Sequence, residues 1–584
     1  MDDTLMRFGP FELDVTTGEL RKSGDLVKLP PQPARVLAVL VRNGGRLVTR
    51  DDIRGQVWRT DTFVDFEQGL NYCIKQIRAA LGDDARAPKY IETLQRRGYR
   101  FLAPVERDSA RPAALPGKVT IAVVPFQNLS GDPEQEYFSD GLTDEMISQL
   151  GRLNPQRLGV VGRTSAMRYK GTSKSISEIG RELGASYLVE GSVRQSADRV
   201  RVTAQLVEAT DQTQIWTQSY DRTFDDILGL QRDIGQAIAS EIHVQLTPRE
   251  AARLAQVGAV SPAAHEAYLK GRYFWNKRTS DGFRRSIEYF NQAIACEPTY
   301  AAAYDGLCDC YVMLACRGVL PVALTFDKAK EAARRALAID PALGEAAASL
   351  AHVRLHGWEW DGLDAEFQRA LELNPAHAFT YYWYSEYLMA IGRPDEAIAM
   401  VRTARSMDPL SSVLNASVGM ILYLARRFTE SIDALLKGLE MDPHHFLLHF
   451  RLGLVCQQAS PLEAIERMQR AVALSSRSME ALAGLAQAYA AAGMSDAMRR
   501  VLDEISGQTE QYVSPYNLAR VYAAHREPDR VFEWLDVACA ERNPDLIELR
   551  TDPVFDPVRA DPRFAALLER VGWRGGELLG SSAR

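Results

Sequence analysis

Cysteine is scarce in this chain, with seven in 584 residues. That is too few for a disulfide framework at this length, so the thiols are expected to be reduced. Long apolar runs are missing as well. Stretches such as Val36 to Val41 and Tyr311 to Cys316 fall far short of the ~20 apolar residues needed to cross a bilayer. The opening Met1-Asp2-Asp3 has none of the basic and apolar character of a leader. A cytoplasmic protein with no membrane partner is therefore the expectation. Neither sign of charge dominates. A formal net charge of −7, 25% charged and 46% hydrophobic residues are ordinary for soluble globular protein and name no partner. Length does imply division, because 584 residues exceed what one hydrophobic core holds.

What is present, above all, is a repeat. Glu297-Pro298, Asp340-Pro341, Asn374-Pro375, Asp408-Pro409 and Asp442-Pro443 punctuate the second half, and the last four prolines stand 34 residues apart. Proline cannot continue a helix and biases its predecessor to extended angles, so each marks a boundary between helix hairpins. The period is that of a tetratricopeptide array. Tyr381, Tyr384, Leu388, Gly392, Ala397 and Ala404 sit where such repeats place their packing residues. Roughly eight units fit between Ala267 and Pro544, within a solenoid over residues 260–570; one unit holds about nine extra residues near Cys316 to Leu320. Solenoids present long surfaces to partners and seldom carry chemistry, so a protein partner is expected. Cys308, Cys310 and Cys316 lack zinc-pair spacing and read as core residues; His444 and His445 read as surface residues at a repeat boundary.

At the other end, residues 1 to 105 hold 17 Lys and Arg against 14 Asp and Glu, a net of +3, and the remainder carries −10. Phe8 to Pro30 alternates in short pieces broken at glycines and reads as an antiparallel meander. Helical spacing follows over Pro31 to Val41, and Thr49 caps a second helix through Ile53, Val57 and Trp58. The third helix, Phe66 to Leu81, is the informative one. Leu70, Ile74, Ile77 and Leu81 align on one face at ~100° per residue. Asn71, Lys75 and Arg78 repeat that spacing one residue on, with Tyr72 and Gln76 beside them. A hairpin closes the segment, with Gln95, Arg96 and Arg97 at its tip.

The wording "LVTRDDIRGQVW", "NYCIKQIRAALGD" and "PKYIETLQRRGYRF" resembles the OmpR/PhoB-type winged-helix DNA-binding domain over residues 7–103. The resemblance implies that the third helix enters the major groove of double-stranded DNA and that the hairpin wing touches the minor groove. Carried over by position, Asn71, Tyr72, Lys75, Gln76 and Arg78 face DNA, with Arg96 and Arg97 on the wing. The residue types suit that role, since Arg and Lys bond guanine edges, Asn and Gln bond adenine, and further arginines neutralise phosphate.

Residues 104–118, with Pro112, Pro116 and Gly117, read as a tether. CadC-type relatives place a membrane span near here, and this chain has none. From 119 to 247 the pattern is β-α-β-α-β-β-β-α, an α/β domain. "VVPFQNLSGDPEQEYFSDGLTDEMISQL" and "LGASYLVEGSVR" resemble the amino-terminal domain of TolB-like proteins, which implies no catalytic residues. Asp132, Glu134, Glu136, Asp140, Asp144 and Glu145 read as a favourable helix N-terminus and its solvated outer face. No Gly-rich phosphate loop and no histidine–carboxylate constellation accompanies them. No catalytic residue, cofactor or metal is assigned.

The expectation is thus a multidomain chain: an α+β winged helix, then an α/β TolB-like domain, then an all-α tetratricopeptide solenoid. Its expected function is transcriptional regulation through DNA binding, with the back of the chain sensing or recruiting a partner and with homodimerisation left open. The alternative is a scaffold whose winged helix binds protein.

Overall fold

The computed structural model of the protein describes residues 5–14, 19–22, 25–43, 47–57, 66–84, 88–94, 97–103, 106–107, 119–153, 157–196, 199–223, 226–242, 260–457, 459–508, 512–574 and 577–578. Two compact units emerge, Met1–Ala113 and Ala114–Arg584.

In the first unit the meander forms β1 (Leu5–Phe8), β2 (Phe11–Asp14), β3 (Leu20–Lys22) and β4 (Asp25–Val27). Pro31 then opens α1 (Pro31–Arg42) at a position where a missing N–H costs nothing. β5 (Leu47–Thr49), α2 (Arg50–Val57), α3 (Phe66–Leu81), β6 (Ile91–Leu94), β7 (Gly98–Phe101) and β8 (Glu106–Arg107) follow. The strand orders are β4-β3-β2-β1-β8 and β5-β7-β6. Phe8 and Phe11 from the first sheet meet Tyr90 and Phe101 beside the second, Phe8 standing edge-on to Phe101 at 4.9 Å, an arrangement favoured by the ring quadrupoles. Thr49 caps α2 reciprocally: its hydroxyl accepts from Asp52 N at 3.1 Å while its own N–H donates to Asp52 Oδ2 at 3.1 Å. Trp58, expected in that helix, lies outside the described residues.

The second unit opens with an α/β layer: β9 (Val119–Val123), β10 (Gln127–Asn128), α4 (Glu136–Gly151), β11 (Leu158–Val160), α5 (Arg163–Met167), α6 (Ile176–Leu183), β12 (Tyr187–Ser196), β13 (Arg199–Glu208), β14 (Gln214–Thr223) and α7 (Ile227–Glu241). The sheet runs β11-β9-β12-β13-β14, parallel through β12 and antiparallel beyond, with β10 parallel to β12. Of the acidic residues in this stretch, Asp132 caps the helical start and Glu134 is exposed, as expected, whereas Glu136, Asp140 and Asp144 are engaged. Lys170 bridges Glu136 and Asp140, and Asp144 meets Arg163 and Arg272. Burial raises Glu145 to about 8 and lowers its neighbour His265 to about 4, so both are neutral near pH 7.

Helix hairpins fill the rest. They are α8 and α9 (Pro262–Trp275, Ser280–Cys296), α10 and α11 (Ala301–Cys316, Phe326–Ile339), α12 and α13 (Gly344–His356, Leu363–Leu373), and α14 and α15 (Ala378–Ala390, Pro394–Met407). Four more follow: α16 and α17 (Ser412–Leu424, Phe428–Met441), α18 and α19 (Phe446–Cys456, Pro461–Leu474), α20 and α21 (Met479–Ala491, Ser495–Ser506), and α22 and α23 (Pro515–His525, Pro528–Ala540). The residues before the punctuating prolines are extended, with φ/ψ of −143°/90° at Glu297, −128°/94° at Asp340 and −139°/84° at Asn374, the restriction proline imposes on its predecessor. Cys308 and Cys310 are fully buried core residues.

Two features close this array on itself. The chain after α23 returns through short 3₁₀ turns at Pro544–Glu548 and Pro553–Val558 into α24 (Pro562–Val571), which a short antiparallel pair, Trp573–Arg574 with Glu577–Leu578, follows. Buried Asp552 accepts from Tyr423 and Tyr516 hydroxyls at 3.1 and 3.3 Å, and the Trp360 indole donates to Val571 O at 2.7 Å. The α/β layer also docks on the array. Asp408 Oδ1 accepts from Ser165 N at 2.7 Å and from the Ser165 hydroxyl, and its Oδ2 accepts from Thr164 N at 3.2 Å. Gly162 N donates to Met407 O at 2.8 Å. The contact requires glycine, because a Cβ on Gly162 would lie 2.5 Å from that of Asp408. Arg152 and Glu345 add an ion pair at 2.7 Å. Between the layer and the helices lies a cavity of about 310 Å³ whose walls include Arg272, Asp309, His352, Glu386, Arg451 and Glu548.

Candidate nucleic-acid interface

Burial of one stripe fixes how α3 is presented. Leu70, Cys73, Ile74, Ile77 and Leu81 are all buried against α1 and the strands, each large apolar side chain contributing about 1.5–3 kcal/mol. The opposite face is thereby turned outward. Asn71, Tyr72 and Lys75 are exposed and Gln76 is half-buried; Tyr72, at 56%, is among the most exposed large apolar side chains. An exposed aromatic flanked by amide and ammonium groups on a helix is suited to contacts with base edges and phosphates.

Arg78 departs from the expectation. Its guanidinium turns away from that face: Nη2 donates to Ile91 O at 2.8 Å and to the Thr93 hydroxyl at 3.0 Å, and Nε lies 3.8 Å from Asp83. Only 15% of the side chain is exposed. The residue braces α3 against the wing strand β6 instead of standing free to read a base. The helical spacing correctly set Arg78 one residue from the buried stripe, but on the side where β6 runs. Of the wing residues, Arg97 is exposed beside the turn closed by its N–H to Leu94 O at 2.9 Å. Arg96 lies outside the described residues.

Three residues that sequence reasoning did not single out position this surface. Asp83, directly after α3, accepts from the backbone N–H groups of Lys89, Tyr90 and Ile91 at 2.7, 3.1 and 3.0 Å, clasping the start of the wing to the end of the helix. Buried Tyr99 donates its hydroxyl to Asn71 Oδ1 at 3.3 Å and accepts from Arg50 at 3.2 Å, a relay that orients the Asn71 amide. The signals of Asp83 and Tyr99 were present in "LGD" and "RRGYRF". Gly98 in the latter is obligatory: its φ is +148°, and a Cβ there would meet Val48 O at 2.1 Å.

Residues 24–101 match the family model described as "Transcriptional regulatory protein, C terminal". The first unit is an OmpR/PhoB-type DNA-binding domain. Behind this domain, residues 117–236 match "HilA/YgeH-like transcriptional regulator, second domain". The "Transcriptional regulator HilA" of Salmonella typhi is 26% identical over 436 residues, covering 73% of this chain and 74% of that protein. A second relative, "Putative adenylate cyclase 3" of Rhizobium meliloti (strain 1021), is 37% identical over 199 residues, and the chain spans only 33% of its length. Solved structures that resemble parts of the chain include the DNA-binding domain of E. coli CadC, 24% identical over 18% of this chain and 96% of that one with a TM-score of 0.16. Another is the tetratricopeptide protein YrrB, 18% identical over 34% and 97% with a TM-score of 0.23. At such scores neither likeness bears on function. The chain thus carries an OmpR/PhoB-type DNA-binding domain and is similar to transcriptional regulators over most of its length, its helix hairpins form tetratricopeptide-like repeats, and among the described residues no helix is long and apolar enough to cross a membrane.

Proposed function

We propose that the OmpR/PhoB-type domain docks α3 in the major groove of duplex DNA through Asn71, Tyr72, Lys75 and Gln76, with Arg96 and Arg97 of the wing on the adjacent backbone or minor groove. The observation that carries this reading is the outward polar face of α3, held in place by the Arg78–Thr93 brace and the Arg50–Tyr99–Asn71 relay. Control enters from the second unit, which senses or recruits a protein partner in the cytoplasm. The charge division supports a split of labour, because the segment beyond residue 105 carries −10 and repels phosphate. On this reading the second unit acts by binding and not by catalysis, and cyclic AMP formed from ATP by the purified chain would contradict that part.

The test compares the full chain with a version ending before residue 260 on a single half-site at matched salt. Nearly equal affinity with loss of the regulatory response in cells is expected. A large affinity loss on the single half-site would overturn the division of labour, whereas a loss confined to paired half-sites would identify the repeats as a homodimerisation element acting through avidity.

A further inference from the structure

Inside the second unit, three metal-binding side chains converge on the wall of the 310 Å³ cavity. His352 and His356 stand one helical turn apart on α12, so both imidazoles leave the same face. Glu386 reaches them from α14, and its Oε2 lies 3.8 Å from the Nε2 of each histidine. The nearest ligand atoms of all three fall within 4.8 Å of one another. We propose that His352, His356 and Glu386 form a binding site for a divalent transition-metal ion of the zinc type.

Four observations carry the site. Tetrahedral ligands ~2.1 Å from zinc stand about 3.4 Å apart, so closing the observed triangle on an ion needs a contraction of roughly half an ångström along the two 3.8 Å edges and of no more than about 1.4 Å between the two histidines, within reach of small side-chain rotations. The ring of His356 is already held in the ligating sense. Its Nδ1 lies 3.2 Å from the Pro544 carbonyl, which can only accept, so Nδ1 carries a proton and Nε2 is the nitrogen turned to the cluster. A backbone carbonyl on the outer nitrogen is the usual support of a metal-bound histidine. His352 is fixed by stacking on Trp383, 4.3 Å between centroids with an 8° interplanar angle. Finally, Glu386 Oε2 is buried and accepts no hydrogen bond among the described residues, a cost that a cation would remove.

The donor set selects the class of ion. Two imidazoles and one carboxylate suit zinc and its first-row neighbours, whereas magnesium and calcium prefer oxygen. Three protein ligands leave a fourth position that faces the cavity, open to water or to a small ligand. The ion would also tie α12 and α14 to the returning segment at Pro544. Metal occupancy would then stiffen the closure of the repeats in addition to any role at the open position.

The test uses the full chain, stripped with a chelator under reducing conditions and titrated with Zn²⁺ by calorimetry, with Co²⁺ absorption as a second readout. One Zn²⁺ equivalent per chain is expected to disappear in Glu386→Gln and in His356→Gln and to persist in Cys310→Ser. The Co²⁺ spectrum should show nitrogen and oxygen ligation without thiolate charge transfer. Glu386→Gln preserves size and removes only the charge, so its circular dichroism in the absence of metal should equal that of the unaltered protein. Should either histidine or glutamate variant misfold, the unaltered protein still decides the matter through its Co²⁺ spectrum. No bound equivalent, an equivalent kept in all three variants, or a thiolate spectrum would overturn the proposal.

Discussion

Replacing Asp408 by alanine should loosen the α/β layer from the repeats without unfolding either. The Asp408 carboxylate sits at a repeat boundary and receives Ser165 N, the Ser165 hydroxyl and Thr164 N. Hydrogen bonds to a charged group contribute about 1.5–3 kcal/mol each, and the donors left behind pay further for being buried and unpaired. These terms are not additive, and the lost bonds together with three donors left without their acceptor put the total at about 3–5 kcal/mol. The alanine variant should therefore lose roughly that much of the docking energy, and Asp408→Asn, which keeps one acceptor, roughly half. Hydrogen exchange followed by mass spectrometry reads the effect locally. Amides of residues 162–168 and 407–410 should lose protection by two to three orders of magnitude, while those of α14 and α18 keep theirs. Unchanged protection at Ser165 in the alanine variant would refute the view that Asp408 holds the seam.

Arg78→Ala should destabilise the first unit by about 1–3 kcal/mol, since it removes the charged donor from Ile91 O and Thr93; urea unfolding of residues 1–113 measures this, and Arg78→Lys should recover only part, because an ammonium cannot span both acceptors in the same way. Glu145 is raised to about 8 by burial, so its contribution is fully present below about pH 4.5 and is lost as pH rises towards 8. Glu145→Gln should therefore raise Tm at pH 8 and change it little at pH 5, and an equal effect at both would contradict that sign. Glu345 shows the reverse: burial opposes ionisation, but the Arg152 charge outweighs it and holds the carboxyl down to about 2, so the stability contributed by this ion pair is present above about pH 4.5 and fades as pH falls towards 2. A scan of the Glu345→Gln difference in Tm against pH checks it.

Much of this architecture was legible because the physics is local. The pre-proline residues had to be extended, and the 4, 3, 4 spacing of Leu70, Ile74, Ile77 and Leu81 had to share one buried face. What escaped depends on groups distant in sequence. Nothing near Asp408 announces a Ser165 partner, and α5, which supplies that serine, is too short to show periodicity. The folding back of Pro544–Val571 into the repeats is equally silent, as it uses isolated buried contacts such as Trp360 with Val571 O. Arg78 was placed by the correct period on the wrong neighbour, since helical phase says which face a residue takes but not which strand lies beside it. His352 and His356 carried a visible signal in "HVRLH", an i, i+4 pair, but the third ligand comes from the next hairpin.

The most direct test of the account is the affinity and sequence preference of residues 1–113 for duplex DNA, selected from a random library and then measured by fluorescence anisotropy across a salt series. Lys75→Ala should weaken binding to every sequence and reduce the slope of log affinity against log salt by about 1. Asn71→Ala and Gln76→Ala should each cost about 1–3 kcal/mol and relax preference at single positions. Variants of all three that keep the affinity, salt slope and preference of the unaltered domain would contradict the claim that the outer face of α3 reads DNA.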